Sequence, residues 1–153
     1  MRVLFLDIDG VLNSKHWMLK NRDVRENAQN RFENLIAQLD PIAVRLVSDF
    51  VESMNLTVVI SSSWRFGHPL DEINSLLVAT GWDATPAIDI TPRTDSFNRG
   101  SEIDVWLTQH PEVTNHVILD DDSDFLEGQH LVQTSWETGV THEHIDLAIG
   151  FLI

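Results

Sequence analysis

Residues 4–13 read LFLDIDGVLN and contain the strongest structural signal of the chain. The apolar run is typical of a buried β-strand, and the strand ends where the acidic pair of Asp7 and Asp9 begins. Gly10 permits a sharp or left-handed turn directly after the strand. Two carboxylates this close together disfavour each other's ionisation, and a bound cation relieves the repulsion. Because Mg²⁺ prefers carboxylate, carbonyl and water oxygens, the stretch predicts a strand that ends at a magnesium site.

The rest of the chain alternates short apolar runs with amphipathic segments, which is typical of a parallel sheet with helices on both faces. Asp40 followed by Pro41 matches the start of a helix, with proline at its first position. We therefore predict an α/β fold, a Rossmann-like three-layer sandwich with a mostly parallel central sheet. The predicted strands are 2–6, 57–60, 84–90, 116–119 and 131–133, and the predicted helices are 24–39, 41–54, 69–80, 100–109 and 142–151.

Polar clusters follow three of the predicted strands. The acidic pair follows the first strand, three serines at 61–63 follow the second, and three aspartates at 120–122 end the fourth. In open α/β sheets, ligands bind beyond the carboxyl ends of the strands. We therefore expect these clusters to meet at one rim of the sheet.

Composition and charge exclude several classes of function. The chain of 153 residues fits a single domain, and the absence of cysteine excludes disulfides, thiolate zinc sites and cysteine nucleophiles. A formal net charge of -14 argues against non-specific coating of nucleic acid, because phosphate contacts need lysine and arginine. The apolar N-terminal run is too short to span a membrane and lacks the pattern of a signal peptide. We therefore expect a cytoplasmic protein without a membrane partner.

Four segments, in order along the chain, resemble the motifs of the haloacid dehalogenase (HAD) superfamily. LFLDIDGVLN resembles the first motif, and VVISSSWR at residues 58–65 resembles the second, a strand that ends in serine or threonine. NRGSEIDVWL at residues 98–107 is similar to the third, which places a basic residue at a helix start. VILDDDSDF at residues 117–125 is similar to the fourth, a strand that ends in paired acids.

This resemblance implies a magnesium-dependent phosphatase and assigns four catalytic roles. Asp7 matches the nucleophile that forms an aspartyl-phosphate, and Asp9 matches the acid that protonates the leaving oxygen and later activates water. Ser61 matches the hydroxyl that binds the transferring phosphoryl group. Arg99 matches the cation that balances its charge. Lysine is more frequent at that position in the superfamily, but no lysine follows Lys20, so Arg99 or Arg93 must serve.

The resemblance also implies the residues that bind Mg²⁺ and substrate. The implied metal ligands are Asp7, the backbone carbonyl of Asp9, and Asp120, with Asp121 or Asp124 assisting. Substrate contacts are predicted for the residues near the motifs, which are Ser62, Arg65, Gly10 and Asn13.

Closer similarity is to a subfamily with minimal or no cap domain, which includes RNA-repair domains and the phosphatase half of polynucleotide kinase-phosphatases. It implies a substrate that is a phosphorylated nucleotide or nucleic-acid end. We expect one hydrolase domain over residues 1–153, with a short insertion at about 14–39. Half of the basic residues lie in this insertion, and we hypothesise that they steer a polyanionic substrate toward the site; they are Lys15, Lys20, Arg22, Arg25 and Arg31.

Three alternatives remain open from the sequence. A receiver domain also places acids at strand ends, but its acid pair is adjacent and it needs a lysine near the last strand, whereas no lysine follows Lys20. A catalytically weak phospho-binding module on the same scaffold is the second alternative. Phosphotransferase or dehalogenase chemistry is the third, although Asp9 favours phosphate hydrolysis over dehalogenation.

Overall fold

A computed structural model describes residues 1–153 and has a single sheet of five parallel strands. The strands are β1 (Arg2–Leu6), β2 (Thr57–Ile60), β3 (Asp89–Ile90), β4 (Asn115–Asp120) and β5 (Leu131–Gln133). Their order across the sheet is β3-β2-β1-β4-β5, so β1 is central and pairs with both β2 and β4. The predicted α/β fold with a parallel central sheet is confirmed.

Six α-helices and one 3₁₀ turn connect the strands, and a seventh helix follows the last strand. The helices are α1 (Lys15–Lys20), α2 (Arg22–Glu26), α3 (Arg31–Gln38), α4 (Pro41–Met54), α5 (Leu70–Ala79), α6 (Arg99–Gln109) and α7 (His142–Leu152), and the 3₁₀ turn is Ser63–Phe66. None of the helices is both long and apolar enough to cross a membrane.

Two apolar clusters lie on opposite faces of the sheet because side chains alternate along each strand. Leu4 and Leu6 face a large cluster that also contains residues of α3, α4, α5 and α7. Val3 and Phe5 face a smaller one built around Trp106 of α6. The molecule is therefore a three-layer sandwich in which both faces of β1 are buried.

Helix α4 begins where the sequence predicts. The Asp40 side chain accepts a hydrogen bond from the backbone N–H of Ile42, and Pro41 occupies the first helical position. The helix ends at Asn55 in the left-handed conformation, with φ of 52°. Helix and cap together carry the chain back to the start of β2.

Two predicted elements differ from the observed ones. The strand predicted at residues 84–90 is only two residues long, because Pro86 has no N–H and both backbone groups of Ala87 bond to the side chain of Asn74. The helix predicted at 24–39 is divided between α2 and α3, and the N–H of Glu33 bonds to the Asn30 side chain at the start of the latter.

Candidate active site

Three aspartates meet at the carboxyl ends of the neighbouring strands β1 and β4. Asp7 directly follows β1, and its N–H donates to the carbonyl of Leu119 at 3.0 Å. Asp120 is the last residue of β4, and Asp121 follows it. Asp7 and Asp120 are buried, and one carboxylate oxygen from each of the three residues lies within 4.8 Å of the others.

Arg99 is the cation that faces this cluster. Its Nη1 lies 3.3 Å from Oδ1 of Asp7 and 3.0 Å from Oδ2 of Asp120, and it also donates to the carbonyl of Ser61. One guanidinium therefore contacts groups that follow or end three adjacent strands, β2, β1 and β4. Arg99 is the first residue of α6, where the positive end of the helix dipole adds to its own charge.

The loop after β4 holds the start of α6 in place. The carboxylate of Asp124 accepts the N–H of Arg99 at 3.1 Å, and its backbone carbonyl accepts the N–H of Gly100 at 3.0 Å. A Cβ at Gly100 would lie 2.6 Å from the backbone nitrogen of Leu126 and 2.8 Å from Cα of Phe125. Only glycine permits this close approach, so Gly100 and Asp124 together determine where Arg99 points.

The aspartate cluster is electrostatically unfavourable without a cation. Burial is the main cause that raises the pKa of Asp7 and of Asp121, and burial followed by the charge of Asp7 raises the pKa of Asp120 to about 8. The charge of Arg99 lowers all three values without offsetting the rise. A convergent set of carboxylate oxygens of this kind fits Mg²⁺, which would relieve the repulsion.

Asp9 lies beside the cluster and is oriented by Asn13. Its Oδ1 accepts a hydrogen bond from the Asn13 amide at 2.9 Å, and Oδ1 of Asn13 accepts the N–H of Gly10 at 3.0 Å. Asn13 is only 1% exposed, so the substrate contact predicted for it would need a rearrangement of the loop. Its observed partners indicate that Asn13 fixes the Asp9 carboxylate.

The backbone conformation and the close packing at position 10, next to Asp9, require a glycine. Its φ is +77°, and a Cβ there would lie 2.3 Å from the carboxyl carbon of Asp121. The first motif loop can therefore approach the fourth motif only where a side chain is missing.

The serines after β2 also lie at the rim. Both Ser61 and Ser62 are fully buried, and Oγ of Ser61 has no hydrogen-bond partner. A buried hydroxyl without a partner is costly, and a bound phosphoryl oxygen would satisfy it. The Ser62 hydroxyl accepts the N–H of Trp64 at 3.3 Å, and it lies close enough to Asp7 to lower the pKa of that carboxyl.

Arg65 has a different environment from the one expected for a substrate contact. Its Nη2 lies 2.6 Å from Oε2 of Glu102, and the two side chains are 3% and 5% exposed. The guanidinium is thus buried in an ion pair between the 3₁₀ turn and α6, under the site. Sequence reasoning missed Glu102; its signal is the i,i+4 spacing to the buried Trp106, which places the acid on the inner face of α6.

A loop distant in sequence braces the first motif. The hydroxyl of Thr134 donates to the carbonyl of Gly10 at 2.6 Å, and the N–H of Val140 donates to the carbonyl of Val11 at 2.9 Å. Gly139 has φ of +70°, and a Cβ there would lie 3.0 Å from the carbonyl oxygen of Asn13. No motif points to these contacts, because they are made largely by backbone groups.

The basic residues of the insertion are largely paired with acids. Arg22 pairs with Glu26 at 2.8 Å, Lys15 lies 3.5 Å from Glu137, and Arg31 pairs with Glu72. Only part of their charge is therefore available to attract a polyanion.

The aspartates of the cluster lie at the rim of the sheet, and none of the cavities in the structure is lined by them. A cavity of about 230 Å³ begins at Arg99 and is lined by Phe66, Phe97 and Glu102 among others. A larger one, of about 420 Å³, shares Phe66 and Arg65 with it and extends to Arg93 and Trp106. A surface depression therefore leads away from Arg99, the residue that contacts Asp7 and Asp120.

Comparison with known protein families finds one match to this chain. A family model described as "HAD domain in Swiss Army Knife RNA repair proteins" matches residues 3–145, a span that contains all four motifs and every aspartate of the cluster. No curated protein and no solved structure matches the chain.

Proposed function

Because the chain belongs to the family of HAD domains in Swiss Army Knife RNA repair proteins and is a HAD-type phosphohydrolase, we propose that it hydrolyses phosphomonoesters with Mg²⁺ through an aspartyl-phosphate. The observation that carries the proposal is the convergence of Asp7, Asp120 and Asp121 on one point opposite Arg99. This arrangement supplies a nucleophile, a metal site and a phosphate-binding cation within one rim.

In the first step, a carboxylate oxygen of Asp7 attacks phosphorus, and the bond from phosphorus to the ester oxygen breaks. Asp9 donates a proton to the leaving oxygen, and its hydrogen bond with Asn13 keeps it aimed there. Arg99 and the Ser61 hydroxyl bind the phosphoryl oxygens, which neutralises and orients the group in transfer. Asp7, Asp120, Asp121 and the carbonyl of Asp9 would hold Mg²⁺, which would supply Lewis-acid charge neutralisation when bound.

In the second step, Asp9 takes a proton from a water molecule, and the water oxygen attacks the phosphorus of the aspartyl-phosphate. The bond from phosphorus to Asp7 then breaks, which releases inorganic phosphate and restores both carboxyl groups. The family description supports a phosphate on a nucleotide or nucleic-acid end as the substrate. A small metabolite would leave the site poorly shielded from water, whereas a polynucleotide would cover it.

The direct test is the Asp7→Asn variant. We expect wild-type protein with Mg²⁺ to release phosphate from 3′- or 5′-phosphorylated oligonucleotides, and Asp7→Asn to lose turnover by a factor of at least about 10³ because the amide is not a nucleophile. Asp71→Asn, an exposed aspartate of α5, is the matched control. Turnover by Asp7→Asn, or full activity of the wild type in excess chelator, would contradict the mechanism. If the wild type instead retained phosphate on Asp7 without turnover, the result would favour a phospho-binding module.

A further inference from the structure

Arg93 differs from the other seven arginines of the chain. Each of the others makes a hydrogen bond or an ion pair with protein groups, whereas Arg93 makes neither and is exposed; the paired ones are Arg2, Arg22, Arg25, Arg31, Arg45, Arg65 and Arg99. In a chain with a net charge of -14, acidic partners are abundant. The free hydrogen-bond donors of Arg93 are therefore available to an anion from outside the protein.

Two phenylalanine rings hold the Arg93 guanidinium. Its central carbon lies 5.0 Å from the ring centroid of Phe66 and 5.1 Å from that of Phe97, within cation–π range. Both rings are largely exposed, at 56% for Phe66 and 69% for Phe97. We call these three residues the stacking surface; it presents aromatic faces and a cation to solvent.

The backbone at Phe97 is strained in a way that burial does not explain. Its φ is +52°, a left-handed conformation that is rare for a bulky residue, and its side chain gains little from packing. Strain of this kind persists where the surrounding structure imposes it, often at binding sites. Here the conformation presents an aromatic ring at the mouth of the cavity that begins at Arg99.

The stacking surface shares a cavity with Arg99, the residue that contacts the proposed nucleophile. Phe66 and Phe97 line the same cavity as Arg99, and Nη1 of Arg99 lies 3.3 Å from Asp7. The adjoining cavity of about 420 Å³ is lined by Phe66 and Arg93. A substrate whose phosphate is bound by Arg99 beside Asp7 therefore has these two cavities as a path toward the rings.

We propose that the stacking surface binds the terminal nucleoside of a phosphorylated polynucleotide, with its base stacked on Phe97 and a backbone phosphate on Arg93. This inference rests on the proposed function, because it takes the terminal phosphate to lie at Asp7. Aromatic rings that stack bases, interleaved with arginine that contacts phosphate, are the chemistry by which single strands are bound without sequence preference.

Binding is tested in the Asp7→Asn background, where the phosphate is not removed. The probes are two RNA hexamers, one 3′- and one 5′-phosphorylated, each with the fluorescent base 2-aminopurine as the phosphorylated terminal nucleoside. We expect quenching of at least one probe in the presence of Mg²⁺. Adding Phe97→Ala should abolish the quenching and weaken affinity about tenfold, whereas Phe97→Trp should retain both. Adding Arg93→Gln should weaken binding and reduce its salt dependence by about one phosphate contact.

Two variants control for nonspecific effects. Phe151→Ala removes another exposed phenyl ring. The Phe151 carbonyl accepts a hydrogen bond from Asn115, which lies at the end of β4 away from Asp120. Arg45→Gln removes a surface arginine of α4. Both should bind the probes like the parent protein. A hexamer with an abasic terminal residue should bind weakly and equally to the parent and to Phe97→Ala.

The outcome separates this inference from the proposed function. The proposal that the stacking surface binds the terminal nucleoside is wrong if Phe97→Ala leaves quenching and affinity unchanged. It is also wrong if neither hexamer binds. Magnesium-dependent hydrolysis of β-glycerophosphate by the wild-type protein tests the active site independently. If hydrolysis occurs and quenching does not depend on Phe97, only the inference fails; if quenching depends on Phe97 and nothing is hydrolysed, only the proposed catalytic function fails.

Discussion

At the scale of single residues, Asn13 positions the proposed acid, because its amide donates a hydrogen bond to the Asp9 carboxylate at 2.9 Å. We predict that Asn13→Ala lowers kcat about 10²-fold with a smaller change in KM, since a misplaced acid transfers protons poorly. The free energy of unfolding should also fall by about 1–3 kcal/mol through the lost buried hydrogen bonds. Steady-state kinetics and chemical denaturation measure the two effects.

Asn115→Ala is the matched control for Asn13, because it truncates an asparagine at the start of β4, away from the rim. Its kcat should equal that of the wild type. If Asn13→Ala instead raised KM with kcat unchanged, Asn13 would be a substrate contact, as the sequence alone predicts.

The comparison of Asn13 and Arg65 with Asp7 shows what the sequence can predict about single residues. Asp7 was predicted at the rim because a strand end defines its position, and the structure places it there beside Asp120. Asn13 and Arg65 follow the strands by a few residues, where loop conformation determines direction. Their burial depends on partners, Asp9 and Glu102, whose hydrogen bonds no local pattern specifies.

Among the secondary-structure elements, the first turn of α6 is the one whose position matters most to the site. Gly100 touches the backbone of Leu126 and Phe125, and a methyl group there cannot be accommodated by a side-chain rotation. We predict that Gly100→Ala lowers the free energy of unfolding by about 1–3 kcal/mol and lowers kcat, because α6 must move and Arg99 moves with it. Denaturant unfolding and phosphate release on the same preparations measure both.

Gly150→Ala provides the matched comparison, since Gly150 also lies inside a helix and a Cβ there meets no atom within 4 Å. That variant should be neutral or more stable by up to about 1 kcal/mol, as alanine favours helix over glycine. Equal stability loss in both variants would show that the close approach at Gly100 is unimportant.

The sequence predicts an element well where the apolar pattern extends over a long segment. It predicts poorly where a side chain, instead of a neighbouring strand, bonds to the backbone. Asp40 and Pro41 predict the start of helix α4, and the structure has that cap; Val44 and Val47 of this helix are buried in the large apolar cluster. The third strand was predicted too long because Asn74 captures the backbone of Ala87, a contact thirteen residues apart in sequence.

For the whole molecule, we predict that the aspartate cluster makes stability depend on pH and on the Mg²⁺ proposed to bind there. The folded-state pKa of Asp120 is about 8, above its ordinary value of 3.8, so between these values the folded state binds more protons than the unfolded state. The cluster's contribution to stability is therefore fully present below about pH 4 and is lost as the pH rises toward 8. Because Mg²⁺ competes with protons for the same oxygens, its stabilising effect should grow over this range.

We predict that Mg²⁺ at one fixed concentration, a hundred times its dissociation constant at pH 8, raises Tm by about 5–10 °C at pH 8 and by clearly less at pH 5. Thermal unfolding at both pH values, with and without the ion, measures the difference. Asp121→Asn should reduce the shift at pH 8, whereas Asp71→Asn should reproduce the wild-type shift. If Mg²⁺ raised Tm equally at both pH values, the aspartate cluster would not be the site of Mg²⁺ binding.

The hydrogen bond from Thr134 to the carbonyl of Gly10 has a consequence for the order of events during translation. Its partners are 124 residues apart, so at ordinary elongation rates the ribosome adds Thr134 roughly 6–25 s after Gly10. Throughout that interval the loop that follows Asp7 lacks the hydrogen bonds that residues 134–140 donate to it. A nascent chain thus carries its proposed nucleophile early but cannot hold it in working geometry until most of the domain has left the exit tunnel.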